Sequence, residues 1–226
     1  MNMKKKIAAS LIVIMALAAA VCAGVWFYIN RFDPQAYVQA VLDVSYKDET
    51  EAYMEIARVT EEEADAVFEN NLDATMEEFE SSPMPEELKP QYRELFGEIA
   101  KSVNYTVGEA VREEDGSFSV PLKIKPITLF ADTYDQFRDK AQEYADQVTD
   151  RVMQGDEMPS DEEMQAEVYR IYYTVLKTAM DEGPLYGEAQ DITLRVAKND
   201  AGEYKIDTED MQELDTRLIE DGEEKE

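Results

Sequence analysis

Two short blocks in which apolar residues alternate with polar ones are set between long stretches whose apolar residues recur every three to four positions. This change of period, from helical to extended and back twice, constrains the chain to an α+β architecture. In the first block Val103, Tyr105 and Val107 alternate with Asn104, Thr106 and Gly108. After the turn Glu114-Asp115-Gly116-Ser117, Phe118, Val120, Leu122 and Ile124 alternate with Ser119, Pro121, Lys123 and Lys125. In the second, Ile192, Leu194 and Val196 precede the turn Asp200-Ala201-Gly202, and Tyr204 and Ile206 follow it. Each block reads as a β-hairpin, so about four antiparallel strands are expected, covered by helices on one face only. Pro121 donates no backbone hydrogen bond and predicts a gap in pairing on one side of its strand.

About six helices are expected around these strands. Asp33-Pro34 pairs an acidic cap with a proline at the first helical position, and Tyr37, Val38, Val41, Leu42 and Tyr46 follow at helical spacing. Thr60 with Glu63 forms a capping box ahead of Ala64, Val67, Phe68, Leu72, Met76 and Phe79. Ser82-Pro83-Met84-Pro85 breaks that helix, and Glu86 to Ser102 forms the next, with Leu88, Tyr92, Leu95, Phe96 and Ile99 inward. A helical hairpin then follows. Its first arm carries Tyr134, Phe137, Ala141, Tyr144, Val148 and Val152. Its second starts at a capping box of Ser160 with Glu163 and buries Met164, Val168, Ile171 or Tyr172, Val175 and Ala179. Thr208 caps a last helix with Met211, Leu214 and Leu218 inward.

Ahead of all this lies an uncharged run from Ile7 to Ile29, preceded by Lys4, Lys5 and Lys6. As a helix its 23 residues reach roughly 34 Å, enough to cross a bilayer core of about 30 Å. The expected organisation is a cytoplasmic tail (1–6), a transmembrane signal anchor (7–29), an extracytoplasmic domain (30–219) and an acidic tail (220–226), single-pass with the N-terminus inside. Two alternatives stay open: a cleaved signal ending near Ala18 to Ala20 or Cys22 to Gly24, and a lipoprotein lipidated at Cys22. Cys22 follows Ala19-Ala20-Val21 as in a lipobox, although Val21 is bulkier than such a box prefers. All three readings place most of the chain outside the cytoplasm, and the anchor and the lipoprotein also tie it to the membrane.

Charge and residue usage then exclude functions. The chain has 22 Lys and Arg against 51 Asp and Glu; with the three N-terminal lysines set aside, the part beyond the apolar run is left at −32. Nucleic acid is therefore excluded as a partner, since its binding needs clustered positive charge. The 44% hydrophobic and 10% aromatic content supplies a core in spite of that charge. There is no histidine, and Cys22 is the single cysteine. Imidazole general bases, thiol nucleophiles and His- or Cys-based zinc sites are excluded, and no cofactor is expected.

The segment Asp191-Ile-Thr-Leu-Arg-Val-Ala-Lys-Asn-Asp-Ala-Gly-Glu-Tyr-Lys-Ile-Asp207 is similar to the last two strands of cystatin-like or NTF2-like domains in surface proteins of Gram-positive bacteria. Phe32-Asp33-Pro34, with Tyr37, Leu42-Asp43, Tyr46-Lys47 and Thr60-Glu61-Glu62, resembles uncharacterised membrane-anchored or lipoprotein families of Firmicutes that carry such domains. The resemblance implies a small surface domain and transfers no catalytic residue. The central helical pair is longer than such a domain usually carries.

Candidate sites are few. Arg112, Lys123, Lys125, Arg195 and Lys205 fall on the polar side of the strands, where they would bind an anionic group of a ligand or partner, or neutralise nearby acids. The acidic clusters Glu61 to Glu63, Glu77-Glu78 with Glu80, Asp161 to Glu163 and Glu220 to Glu224 lack calcium-loop spacing and read as solvated helix faces. Tyr169, Tyr172 and Tyr173 crowd one helix, as core or rim residues or as a ligand groove. The function expected is a membrane-anchored extracytoplasmic domain that binds a surface protein, peptide or wall component. The alternative is a hydrolase or transferase built on carboxylates.

Overall fold

The computed structural model describes residues 32–80 and 84–220. Among them are seven α-helices, a π-helical turn and five strands, in the order α1 (Pro34–Leu42), the π turn (Asp43–Lys47), α2 (Glu51–Ala57), α3 (Glu61–Phe79), α4 (Lys89–Lys101), β1 (Asn104–Val107), β2 (Val111–Arg112), β3 (Phe118–Lys125), α5 (Leu129–Met153), α6 (Asp161–Glu182), β4 (Gln190–Lys198), β5 (Tyr204–Ile206) and α7 (Thr208–Leu218).

The expected fold class needs one correction. The α+β part fits, but an N-terminal transmembrane helix is not part of the fold described. Among the described residues no helix is long and apolar enough to cross a membrane. The longest, α5, carries Asp132, Asp135, Arg138 and Asp139 in its first half alone, whereas a spanning helix is apolar around its whole circumference. The run 7–29 lies outside the described residues, as do Cys22 and the tail 221–226.

The strands form one antiparallel sheet ordered β1-β3-β4-β5, with β2 also on β3. Tyr105, Val107, Val120, Leu122, Ile124, Ile192, Leu194, Val196 and Ile206 are buried on one face, while Thr106, Lys123, Lys125, Asp191, Thr193 and Arg195 stand exposed on the other. Helices thus cover one side. Helix α1 lies against β1 and β3, the π turn joins it to α3 and α4, and α6 packs on α4 with α5 outside it.

Local chemistry explains the element ends. Asp33 Oδ1 accepts from Ala36 N at 3.0 Å with Pro34 at the first position of α1, and both capping boxes form as their sequences require. The turns between strands place Gly116 and Gly202 at φ 83° and 82°, where a side chain would be strained. The N-terminal approach is held by Phe32, which stacks on Tyr204 at 3.9 Å and tilts against Phe118.

Two elements exceed expectation. Helix α2 is short, its start lacks a side-chain cap, and Arg58 closes it in the left-handed region at φ 56°. The π turn ends likewise at Asp48, φ 61°, and its wider bore brings Val44, Ser45 and Tyr46 all inside.

Candidate functional site

The predicted strand gap decides where the candidate cations fall. β1 pairs with β3 from Asn104↔Lys125 to Val107↔Leu122, and pairing resumes one residue out of step at Val111↔Ser119 and Arg112↔Phe118. The extra residue sits in Gly108 to Ala110, opposite Pro121, whose carbonyl accepts from Gly108 N at 2.7 Å while its missing N–H needs no partner. A Cβ on Gly108 would lie 3.0 Å from Pro121 Cγ and 3.1 Å from its oxygen, so the close approach requires glycine.

Directly opposed residues share a sheet face, so the slip turns Arg112 to the side of Phe118, away from the other four cations. Lys123, Lys125, Arg195 and Lys205 share the open face, the last through its pairing with Ala197. They form two pairs rather than one cluster. Arg195 lies opposite Ser119, four positions and roughly 13 Å along β3 from Lys123. Arg195 is also engaged: its guanidinium donates to Asp115 Oδ2 at 2.5 Å and Ser117 Oγ at 3.4 Å, while its backbone N–H donates to Asp210 Oδ2 at 2.7 Å. The Ser117 hydroxyl and amide, with Arg195, hold the Asp115 carboxyl below its usual range. Among the described residues Lys123 has only a loose ion pair, 3.9 Å to Asp191, and both groups are exposed. Lys123 and Lys125 are thus the cations most available to a ligand on this face.

Sequence reading did not find the buried polar pair in the core. Tyr46, fully buried in the π turn, donates to Asp215 Oδ1 of α7 at 2.5 Å. Asp215 is 3% exposed and its Oδ2 has no hydrogen-bond partner among the described residues, so the charged form is poorly compensated. Burial pushes this carboxyl up to about 7, against a smaller lowering by Tyr46. Close by, Tyr105 donates to Asp43 Oδ1 at 2.5 Å, its ring 6.1 Å from that of Tyr46, with the Lys47 ammonium 4.5 Å over the Tyr105 ring. A carboxyl poised near neutrality suits acid–base chemistry, but neither Tyr46 nor Asp215 presents a face that a substrate could reach.

The tyrosines of α6 resolve into packing. Tyr172 is buried 4.8 Å from Phe137 and also faces Phe79, while Tyr92 donates to the Tyr169 carbonyl at 2.7 Å and meets the Tyr173 ring edge-on at 5.5 Å. Desolvation raises the Tyr92 and Tyr172 hydroxyls. Ser45, Asn71 and Thr75 line a cavity of about 30 Å³, large enough for about one water. Asn71 donates to the Ser45 carbonyl at 3.2 Å, tying α3 to the π turn, and Thr75 donates to the Asn71 carbonyl one turn back at 2.9 Å.

The acidic clusters at helix starts also have local roles. Glu63 and Glu163 accept from the backbone N–H and hydroxyl of Thr60 and Ser160, which hold both carboxyls below their usual range. Among the described residues no group of three or more potential ligands gathers to hold a metal ion.

No family model matches the chain, and no curated protein matches it by sequence. Among solved structures the fold is similar to that of a Bacillus subtilis subsp. subtilis str. 168 protein named "putative lipoprotein (ycdA)", with a TM-score of 0.52 at 16% identity. The match covers 83% of this chain and 56% of that one, so this chain corresponds to little more than half of its neighbour's length. At this identity the likeness establishes the fold. The cystatin-like or NTF2-like assignment finds no support in it.

Proposed function

We propose that the protein is a surface-associated interaction domain that docks an anionic group of a protein, peptide or wall component on the open face of its sheet. The observation that carries this reading is the exposure of Lys123 and Lys125, adjacent on one side of β3 in a chain of net charge −29, with no helix layer over them among the described residues. Focused positive charge in a negative field attracts a carboxylate or phosphate and turns other cations away. Arg195 and Lys205 extend the face along β4 and β5.

The tether in this reading is lipidation at Cys22. It is supported by the lipobox-like Ala19-Ala20-Val21-Cys22 and by the fold's similarity to a protein named as a lipoprotein. A single acyl chain binds membranes weakly, whereas the multiply acylated cysteine of a lipoprotein anchors firmly.

Cosedimentation of the full chain with insoluble wall polymer, at low and high salt, tests the docking face. Wild type is expected to pellet at low salt and K123E/K125E to stay in the supernatant; equal pelleting of the two would overturn the assignment. For the tether, a clickable fatty acid fed to expressing cells is expected to label wild type and leave C22A unlabelled. Equal labelling of both, or none, rejects it.

A further inference from the structure

The apolar stripe that runs the length of the helical hairpin is only half used. Phe137 on α5 and Tyr172, Val175 and Leu176 on α6 are buried where the hairpin meets the body. Farther out, Val148 is the single buried residue between Arg138 and Ile171. Ala141, Tyr144 and Val152 on α5, with Met164 and Val168 on α6, remain partly exposed, and at the tip Met153 and Met158 are 80% and 61% exposed.

The contrast between the two halves has a cause. The inner half of α6 has a third helix beside it: Tyr92 of α4 bonds the Tyr169 carbonyl, Glu87 just ahead of α4 pairs with Arg170 at 3.0 Å, and Glu98 pairs with Lys177 at 3.0 Å. Helix α4 begins at Lys89, level with this contact, so among the described residues the outer half of the hairpin has no such partner. Two helices sharing one buried residue leave an apolar stripe that a third element would bury. An open groove of about 1000 Å³ lies along this outer half, with Tyr144, Met158, Pro159 and Ala166 in its lining.

Charge selects the occupant. Residues 129–182 carry 14 acids and five cations, a net of −9. The groove lining holds four acids, Asp150, Glu157, Glu163 and Glu167, against Arg151 and Arg170, and Arg170 is already paired with Glu87 and Glu167. Two such arms would repel, which disfavours a second copy of this chain. We infer that the outer half of the α5–α6 hairpin docks a cationic amphipathic helix of a partner protein, which lies along the groove in the place that α4 takes on the inner half, covers Tyr144 and Met158 in its lining and reaches Met153 at the tip. Methionine suits such a surface because its side chain adapts to different apolar partners. The site is separate from the sheet face, so K123E/K125E leaves it unchanged.

The probe is a synthetic helical peptide with leucine at i, i+3 and i+4 spacing and lysine elsewhere, compared with a peptide of the same composition shuffled to break the amphipathic pattern. Fluorescence anisotropy with the full chain is expected to show at least about tenfold tighter binding of the amphipathic peptide. M153S/M158S, whose replaced side chains are exposed and unneeded for folding, is expected to lose that advantage while keeping the circular dichroism of wild type. Methyl NMR of ¹³C-methionine protein is expected to show the signals lost in M153S and M158S moving on titration. Equal binding of the two peptides, or undiminished preference in M153S/M158S, overturns the inference. A dimer in sedimentation velocity that M153S/M158S dissociates also overturns it, in favour of a second copy as occupant.

Discussion

Tyr46 donates a 2.5 Å hydrogen bond to Asp215 across 169 residues of sequence, joining the π turn at the start of the fold to its last helix. This bond lies inside the core, and the second carboxyl oxygen of Asp215 has no partner among the described residues. The proton on Asp215 is therefore coupled to the fold's integrity.

Stability is expected to fall as pH rises through the interval from about 4 to about 7. The Asp215 carboxyl titrates near 7 when folded and near 3.8 when unfolded, so the folded state holds the proton more tightly across that window. Its contribution is complete below the unfolded value and lost above the folded one, on the order of 4 kcal/mol for about three pH units. Urea melts at pH 5 and pH 8 check this against D215N, whose stability should change less between the two. General relief of acidic repulsion acts on both proteins alike, so parallel pH profiles for wild type and D215N would exclude Asp215 as the source.

Y46F is expected to lose about 1–3 kcal/mol, because it leaves a second buried carboxyl oxygen unpaired. The Tyr46 hydroxyl lowers the Asp215 titration, so its removal also moves the midpoint of the pH profile above that of wild type. Denaturant melts of Y46F across pH measure both, and a midpoint shifted downward would contradict this role for the hydrogen bond.

Gly108→Ala is expected to destabilise by about 1–3 kcal/mol, since the new methyl meets the Pro121 ring and carbonyl and neither can retreat without disturbing β3. Pairing with P121A relieves the contact with the ring but not that with the carbonyl. The double variant should therefore recover part of the loss in a thermal melt, and full additivity of the two single effects would argue against direct contact.

Phe79→Ala is expected to cost about 3–5 kcal/mol, because Phe79 meets Tyr92, Phe96, Tyr169 and Tyr172 where α3, α4 and α6 converge. T60A and S160A, which each remove one cap, should cost about 1 kcal/mol apiece. The ratio of these losses in urea melts tests whether the aromatic cluster, rather than the helix ends, holds the helical layer together.

What the sequence determined by itself was set by neighbours a few positions apart. The capping boxes at Thr60 and Ser160, the proline after Asp33, the glycine turns and the two blocks of alternation specify helix starts, strand directions and the one-sided sheet, since their energetics close within three or four residues. The gap opposite Pro121 was legible for the same reason, but its effect on Arg112 was not. A single extra residue between β1 and β2 turns every later side chain over, and only the observed pairing locates that residue. The tertiary structure alone likewise decided that Tyr46 meets Asp215, that Arg195 is held by Asp115 and Ser117, and that the apolar stripe of the hairpin outruns its neighbours. Those outcomes depend on how far each element extends past the one beside it, and periodicity records which face of a helix is apolar without recording what stands opposite.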